Sequence, residues 1–318
     1  MKRAKLSRRT RRIVILGVAC ILILFVLGFL YSANQSLNSG PTDSKGQVVQ
    51  DRFSFEYQNL TGDGSVTVRV SSFNGIVTYP PPNNNQIVQG LVPWARAGVM
   101  IKSSLAPGSN YAAVMQTGGH GVRMQYNFIG DIPGSSTNVT QASPLWLKIV
   151  RSGDIVSGYE SNNGTEWSKI GTADLAGLPI NVEIGFFVTS PCDRSVSQGN
   201  SYCRFTQANA NFDNITLEGN VSGSWTYDYV GKVNNYQTDW ELYHRAEGAI
   251  QNGTSFNVAG TGDIALSSNS LPPITIALFA GIIAIIIVIA AFLFRRTSAF
   301  PKNVPGSQYP AKRVLKSV

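Results

Sequence analysis

The sequence predicts a mainly β protein, an antiparallel jelly-roll sandwich flanked by two transmembrane α-helices. Three observations predict it. Apolar and polar residues alternate with a period of two in several stretches of the middle of the chain. Turn signals rich in Gly, Asn and Asp separate those stretches. Two charge-free apolar runs, Ile13 to Tyr31 and Ile274 to Phe294, bracket them.

The ends come first. Each apolar run has roughly the 20 residues that span a hydrocarbon core as a helix, and a charge at the bilayer centre would cost several kcal/mol. The tail 1–12 carries Lys2, Arg3, Lys5, Arg8, Arg9, Arg11 and Arg12. The tail 295–318 carries Arg295, Arg296, Lys302, Lys312, Arg313 and Lys316. These are 13 of the chain's 26 basic residues, and neither tail has an acid. The middle keeps 13 basic and all 18 acidic residues, a net charge of −5. The basic balance therefore belongs to the tails, and a nucleic-acid partner is not expected. Basic flanks stay cytoplasmic, so the expectation is a two-pass protein of the cell membrane. Both termini would be cytoplasmic, the centre extracellular and the lipid bilayer a partner. A cleaved signal peptide is the alternative for the first run. Its apolar stretch is longer than the usual 7–15 residues, and Tyr31-Ser32-Ala33-Asn34 makes a poor cleavage site. Cys20, inside that run, is expected to be a buried structural cysteine.

Residues 32–49 are rich in Ser, Asn and Gly and read as a linker. Strands follow. Val66, Val68 and Val70 alternate with Ser65, Thr67 and Arg69; Val122, Met124 and Tyr126 with Arg123 and Gln125. Leu147 and Ile149 bracket Lys148, and Val182, Ile184, Phe186 and Val188 form a further set. One apolar and one polar face is the pattern of a half-buried antiparallel strand. Turns are expected at Gly62-Asp63-Gly64, Pro107-Gly108-Ser109, Gly118-Gly119-His120-Gly121 and Ser152-Gly153-Asp154. Asn162-Asn163-Gly164 fits a type I′ hairpin, because both Asn and Gly tolerate positive φ. Short strands so punctuated argue for a sandwich or jelly roll over residues 50–219. Residues 220–270, with Trp225 and Trp240, read as a β-rich extension or a small add-on, and 271–294 contain the second span.

Cys192 and Cys203 flank the polar loop from Asp193 to Tyr202. A disulfide suits an outside compartment, with two free thiols as the alternative. Asn-x-Ser/Thr sites begin at Asn34, Asn59, Asn138, Asn163, Asn214, Asn220 and Asn252, and matter only in a host that glycosylates.

Four phrases between Asp51 and Gly219 resemble a family of secreted concanavalin A-like jelly rolls, of the laminin-G-like and glucanase superfamily. They are Leu60 to Val70, Trp94 to Lys102 continuing through Tyr111 to Tyr126, Trp146 to Gly153 with Gly158 to Trp167, and Phe212 to Leu217. A narrower resemblance includes Trp225 to Gly231 and Thr261-Gly262-Asp263-Ile264. Together with the two apolar runs these look like the start of certain ABC-2-type transporter permeases, which carry such a domain between their first two spans. Two helices cannot line a conventional transport pathway, and there is no P-loop. The resemblance implies at most an accessory or reduced permease-like subunit, with transporter subunits as partners.

The chemistry is sparse. Glycosidases work with paired carboxylates, and strand neighbours must be two apart to share a face. No Glu-x-Asp-x-Glu-like cluster is present; Glu183 stands alone, and Glu160 and Glu166 flank a hairpin. His120 lies in a Gly-rich turn with no nucleophile elbow and reads as a turn residue. A metal centre needs more ligands than the two histidines and one cysteine pair supply. Neither a catalytic residue nor a cofactor is expected. The binding candidates are Trp94, Tyr126, Trp146 and Trp167, whose rings suit the C–H face of a pyranose. Packing is the competing role for Trp94, Trp146 and Trp167. The expected function is thus a membrane-anchored, non-catalytic module for glycan, cell-envelope polymer or protein.

Overall fold

A computed structural model of the chain describes residues 40–79, 86–135, 145–197, 200–231 and 248–267, with the side chains of 194–203 left aside. Nearer the ends it describes residues 7, 10, 13–14, 17–18, 20–28, 283–284, 286–289 and 291. Ser39–Ser268 is one unit, and the two ends form another.

The strands of the first unit are, in chain order, β1 Val49–Asp51, β2 Phe53–Thr78, β3 Ile87–Gln89, β4 Arg96–Lys102, β5 Tyr111–Thr117 and β6 Val122–Tyr126. They continue with β7 Gly130–Pro133, β8 Leu145–Ser152, β9 Ile155–Ser161, β10 Ser168–Asp174, β11 Asn181–Thr189 and β12 Asp193–Ser197. The last are β13 Asn200–Arg204, β14 Thr206–Val230, β15 Gly248–Asn252, β16 Ser255–Gly260 and β17 Ile264–Leu266. Every strand pair is antiparallel.

Two long strands organise the unit. β2 has 26 residues and β14 has 25, and they pair from Phe53↔Val230 to Val77↔Thr206. On the other side of β2, residues 54–61 pair with β11, which continues to β4, β5, β6 and β7. Residues 64–70 pair instead with β8, followed by β9 and β10. One strand thus serves two sheets, and the change of partner falls at Gly62-Asp63-Gly64. The turn expected there does not end a strand; it kinks a continuous one. Gly62 has φ +76° and Gly219, opposite Gly64, has φ +103°, a region open to glycine at little cost. A Cβ on Gly64 would stand 2.4 Å from the Glu218 carbonyl oxygen. Strands that bend from one sheet into another are how sandwich corners are made.

The period-two alternation puts the expected residues inside. Val66, Val68 and Val70 of β2 share one buried cluster with Leu147 and Ile149 of β8, Met124 of β6, and Ile184, Phe186 and Val188 of β11. Both sheets contribute, so they stack face to face. The opposite face of the first sheet is buried too. Phe53, Phe55, Met100, Tyr111, Met115 and Phe187 form a second cluster with Val230 and Ile264. Each fully buried side chain of this size contributes roughly 1.5–3 kcal/mol.

Part of the cover on that face is a strap. β1 and β17 pair with each other, Asp51 opposite Ile264. Lys102 is completely buried beneath it and Asp51 is 1% exposed. Lys102 Nζ donates to Asp51 Oδ2 at 2.8 Å and to the Ser109 carbonyl at 3.2 Å, and Asp51 Oδ2 also accepts from the Gly108 N–H at 2.8 Å. Val49, read from composition as the end of the linker 32–49, is buried in β1 next to these contacts. The stretch after Gly219 is likewise part of the sandwich: β14 runs on to Val230, and the Trp225 ring lies 4.9 Å from Phe186 and 5.6 Å from Phe256. Trp240 lies outside the described residues.

The two-pass expectation is overturned. Among the described residues no helix is long and apolar enough to cross a membrane. The longest unbroken helical stretch described in the first run is residues 20–28. Those residues rise only about 14 Å, roughly half of a hydrocarbon core. In the second run it is residues 286–289. The cell-membrane placement, the cytoplasmic termini and the extracellular centre fall with that finding. Much of the rest of both runs, and nearly all of both basic tails, lie outside the described residues. Cys20, expected to be buried, is exposed and carries a free thiol.

Candidate functional site

The site is built on the outer face of the second sheet. Val66, Val68, Leu147 and Ile149 point into the core, so their strand neighbours point out. The register then sets two rows side by side. One row runs Asp213, Arg69, Trp146, Ser161 across β14, β2, β8 and β9. The other runs Thr67, Lys148, Tyr159, Lys169 across β2, β8, β9 and β10. Trp146, Lys148, Tyr159 and Trp167 are half-buried and Lys169 is exposed.

The hairpin from β9 to β10 fixes the upper edge of this face. The Ser161 hydroxyl accepts from the N–H groups of Asn163 (3.3 Å) and Gly164 (2.9 Å). Asn163 Oδ1 accepts from the N–H groups of Thr165 (3.0 Å) and Glu166 (2.9 Å). Only Gly164, at φ +78°, takes the left-handed conformation, so the type I′ turn expected for Asn163-Gly164 does not form. The side chains of Ser161 and Asn163 organise a longer loop instead, as Asn and Ser do when they bond to nearby backbone. Gly164 lies on the Trp146 ring, where a Cβ would stand 2.7 Å from the indole.

Charge is distributed unevenly over the face. Arg69 donates from Nε and Nη2 to the two Asp213 carboxylate oxygens at 2.6 and 2.7 Å. That hydrogen bond raises the Arg69 pKa and holds Asp213 below its ordinary value. Arg69 Cζ is 5.9 Å from the Trp146 ring centre. Lys148 Nζ sits 4.3 Å above the Trp167 ring centre, within cation–π range. The carboxylates nearby are engaged in the fold: Glu160 Oε1 accepts from the Ser135 N–H at 2.5 Å, and Glu218 accepts from the Ser65 hydroxyl at 2.9 Å.

Two of the four sequence-predicted aromatics, Trp146 and Trp167, therefore meet on one face, and two do not. Trp94 gathers with the first sheet's end. Its ring centre is 4.0 Å from that of His120, with Arg96 Cζ at 5.5 Å and Arg123 Cζ at 5.7 Å. Both guanidiniums are tied, Arg96 to Asp263 at 2.7 Å and Arg123 to Asp131 at 2.6 Å. Tyr126 packs against the main core. His120 is exposed, and its backbone N–H is held by Thr117 Oγ1 at 2.7 Å. Sequence reasoning missed Arg69, Lys148, Tyr159 and Lys169. The signal was present for Lys148, which follows Trp146 by two and so shares its face.

Cys192 is disulfide-bonded. The Asn59, Asn163, Asn214, Asn220 and Asn252 side chains are exposed; Asn34 and Asn138 lie outside the described residues. Among the described residues no group of three or more His, Cys, Asp or Glu is placed to hold a metal.

The chain matches no protein-family model and no curated protein. Solved structures with a related outline include a functionally unknown protein from Saccharomyces cerevisiae, at 11% identity and TM-score 0.30, covering 52% of this chain and 74% of that one. A mutant of a GH43 protein from Bacillus licheniformis has 17% identity and TM-score 0.30, covering 49% of this chain and 27% of that one. Peanut lectin with a 9mer peptide has 10% identity and TM-score 0.24, covering 64% of this chain and 73% of that one. The chain thus spans about a quarter of the GH43 protein.

Proposed function

We propose that the β unit is a non-catalytic module that binds glycan on the outer face of its second sheet. The observation that supports this reading is the grouping of Trp146, Trp167, Tyr159 and Lys148 in adjacent positions on one half-exposed sheet face. Indole and phenol rings offer flat apolar surface with a polar edge, which suits a sugar's C–H face and its hydroxyls. A rigid sheet holds them in place without an ordering cost at binding. Trp146 is held under the hairpin by Gly164 and acts as support, which leaves Trp167 and Tyr159 as the contact surface. Cys203 is the proposed partner of Cys192.

The corresponding far face of the first sheet is closed by the strap and its buried cluster. Binding there would require removing side chains such as Phe187 and Met115 from the interior. The second sheet is the face left open to a ligand.

Titration of the protein with a panel of neutral and acidic oligosaccharides, followed by tryptophan fluorescence and calorimetry, tests the reading. Saturable binding should weaken about tenfold in Trp167→Ala and stay unchanged in Trp94→Ala. A folded protein that binds no member of the panel, or that binds protein ligands through this face instead, would sink the proposal.

A further inference from the structure

Lys148 and Lys169 differ from Arg69, the cation beside them on this face, which is paired with Asp213. Among the described residues the ion pairs engage Arg69, Arg96, Lys102, Arg123 and Arg204, each with an aspartate. Among the described residues neither Lys148 nor Lys169 has a carboxylate within ion-pair distance. They stand in register on either side of Tyr159, Lys148↔Tyr159↔Lys169, on strands β8, β9 and β10. Neighbouring strands are about 4.8 Å apart, so the two lysine backbones stand roughly 10 Å apart with the phenol between them. Trp167 lies two residues before Lys169, on the same face. The acidic side chains of this face sit in other positions: Asp213 on Arg69, Glu218 on Ser65, Glu166 in the hairpin against Asn163 Nδ2, and Asp174 at the far end of β10.

A neutral glycan needs rings and hydrogen-bond partners but no free cations. An acidic glycan needs both, at the spacing of successive sugar rings. Resting over the Trp167 indole, the Lys148 ammonium has, among the described residues, a cation–π partner and no carboxylate. An incoming carboxylate or sulfate offers a stronger, charge-assisted one, and its arrival draws the ammonium off the ring face that the sugar then covers.

We infer that this face selects acidic glycans, with sugar rings on Trp167 and Tyr159 and their carboxylate or sulfate groups on Lys148 and Lys169. The inference rests on the glycan-binding reading and adds the ligand's charge. It predicts that sequence-neutral attraction is weak and that recognition depends on the aromatic and cationic groups together.

The test is calorimetry on the full chain with three matched probes: an oligogalacturonate, its neutral methyl ester and a sulfated neutral oligosaccharide. At low salt one of the anionic probes should bind about tenfold or more tightly than the ester. The gap should close as salt shortens the screening length to about 3 Å at 1 M. Lys148→Met and Lys169→Met should each remove about threefold to tenfold of anionic-probe affinity and narrow the gap between the anionic probe and the ester. Preference for the sulfated probe over the uronate identifies sulfate as the anion and supports the inference. Equal binding of acid and ester overturns it and leaves the glycan reading standing. Undiminished anionic binding in both lysine variants, with circular dichroism showing them folded, also overturns it. No binding of any probe overturns both.

Discussion

The carboxyl of Glu56 lies in β2 between its register partners Phe186 and Tyr227, on the face that also carries Leu60. It is 4% exposed, and burial pushes its pKa up to about 7. The sign follows from the proton count. The folded state holds this proton to higher pH than the unfolded state does, so the stability associated with it is present below the ordinary pKa of 4.5. It is lost as pH rises from there toward 7, by up to about 3 kcal/mol. Glu183, also raised chiefly by burial, acts in the same direction. Asp213, held low by its hydrogen bond to Arg69, acts oppositely, contributing above its ordinary pKa and losing that as pH falls through the depressed one. Urea melts from pH 4 to 8 should therefore show stability declining between about 4.5 and 7. Glu56→Gln should flatten that decline; a decline unchanged in the variant would remove Glu56 as its source. The sequence did not expose this residue, because alternation around Phe53, Phe55 and Tyr57 reads Ser54 and Glu56 as the solvent side. The strap covers one face of β2 and the sandwich interior takes the other, so both sets end up inside.

Among elements, the strands of the core were legible and their continuity was not. Val66, Val68 and Val70 betray β2 by their period, yet nothing local distinguishes a glycine corner that ends a strand from one that bends it. That choice is made by partners far away in sequence, β8 and β11 on one side and β14 on the other. Two rings of the candidate site, Trp146 and Trp167, were legible for the same local reason, since they bracket a hairpin, while Tyr159 was not. Its cationic half needs the register of β8, β9 and β10, which only tertiary pairing supplies. The strap is the element least visible in sequence, because its hold on the sandwich joins residues far apart in the chain: Ile264 in the second cluster and the buried Asp51–Lys102 pair. Desolvation lowers the Lys102 pKa, and Asp51 opposes that. Lys102→Met should leave the Asp51 carboxylate buried without its counter-charge and cost about 3–5 kcal/mol. Adding Asp51→Leu should recover more than half of that in a double-mutant cycle, although the Gly108 N–H loses its acceptor. Chemical denaturation of the three variants measures the coupling; additive losses would show that the pair is not one unit.

At the scale of the whole molecule, composition misled where pattern did not. Two charge-free runs with basic flanks satisfy every local criterion for a membrane span, and the described helices within them are too short to make one. The β unit, by contrast, extends beyond the stretch that resembles known jelly rolls and takes in β1 at one end and β17 at the other. That closure has a mechanical consequence. The chain enters β1 at Val49 and leaves β17 at Leu266, and these two residues face each other in the ladder. The Ser267 N–H donates to the Val48 carbonyl at 2.9 Å just outside it. Tension applied to the two ends therefore loads the ladder from one side, opening its hydrogen bonds one after another rather than all at once. In single-molecule stretching the strap should peel first, at low force, each freed residue adding about 3.4 Å of length, before the sandwich yields. Lys102 and Asp51, at the inner end of the ladder, would be the catch that stops the peeling, and Lys102→Met should let it run on into β2.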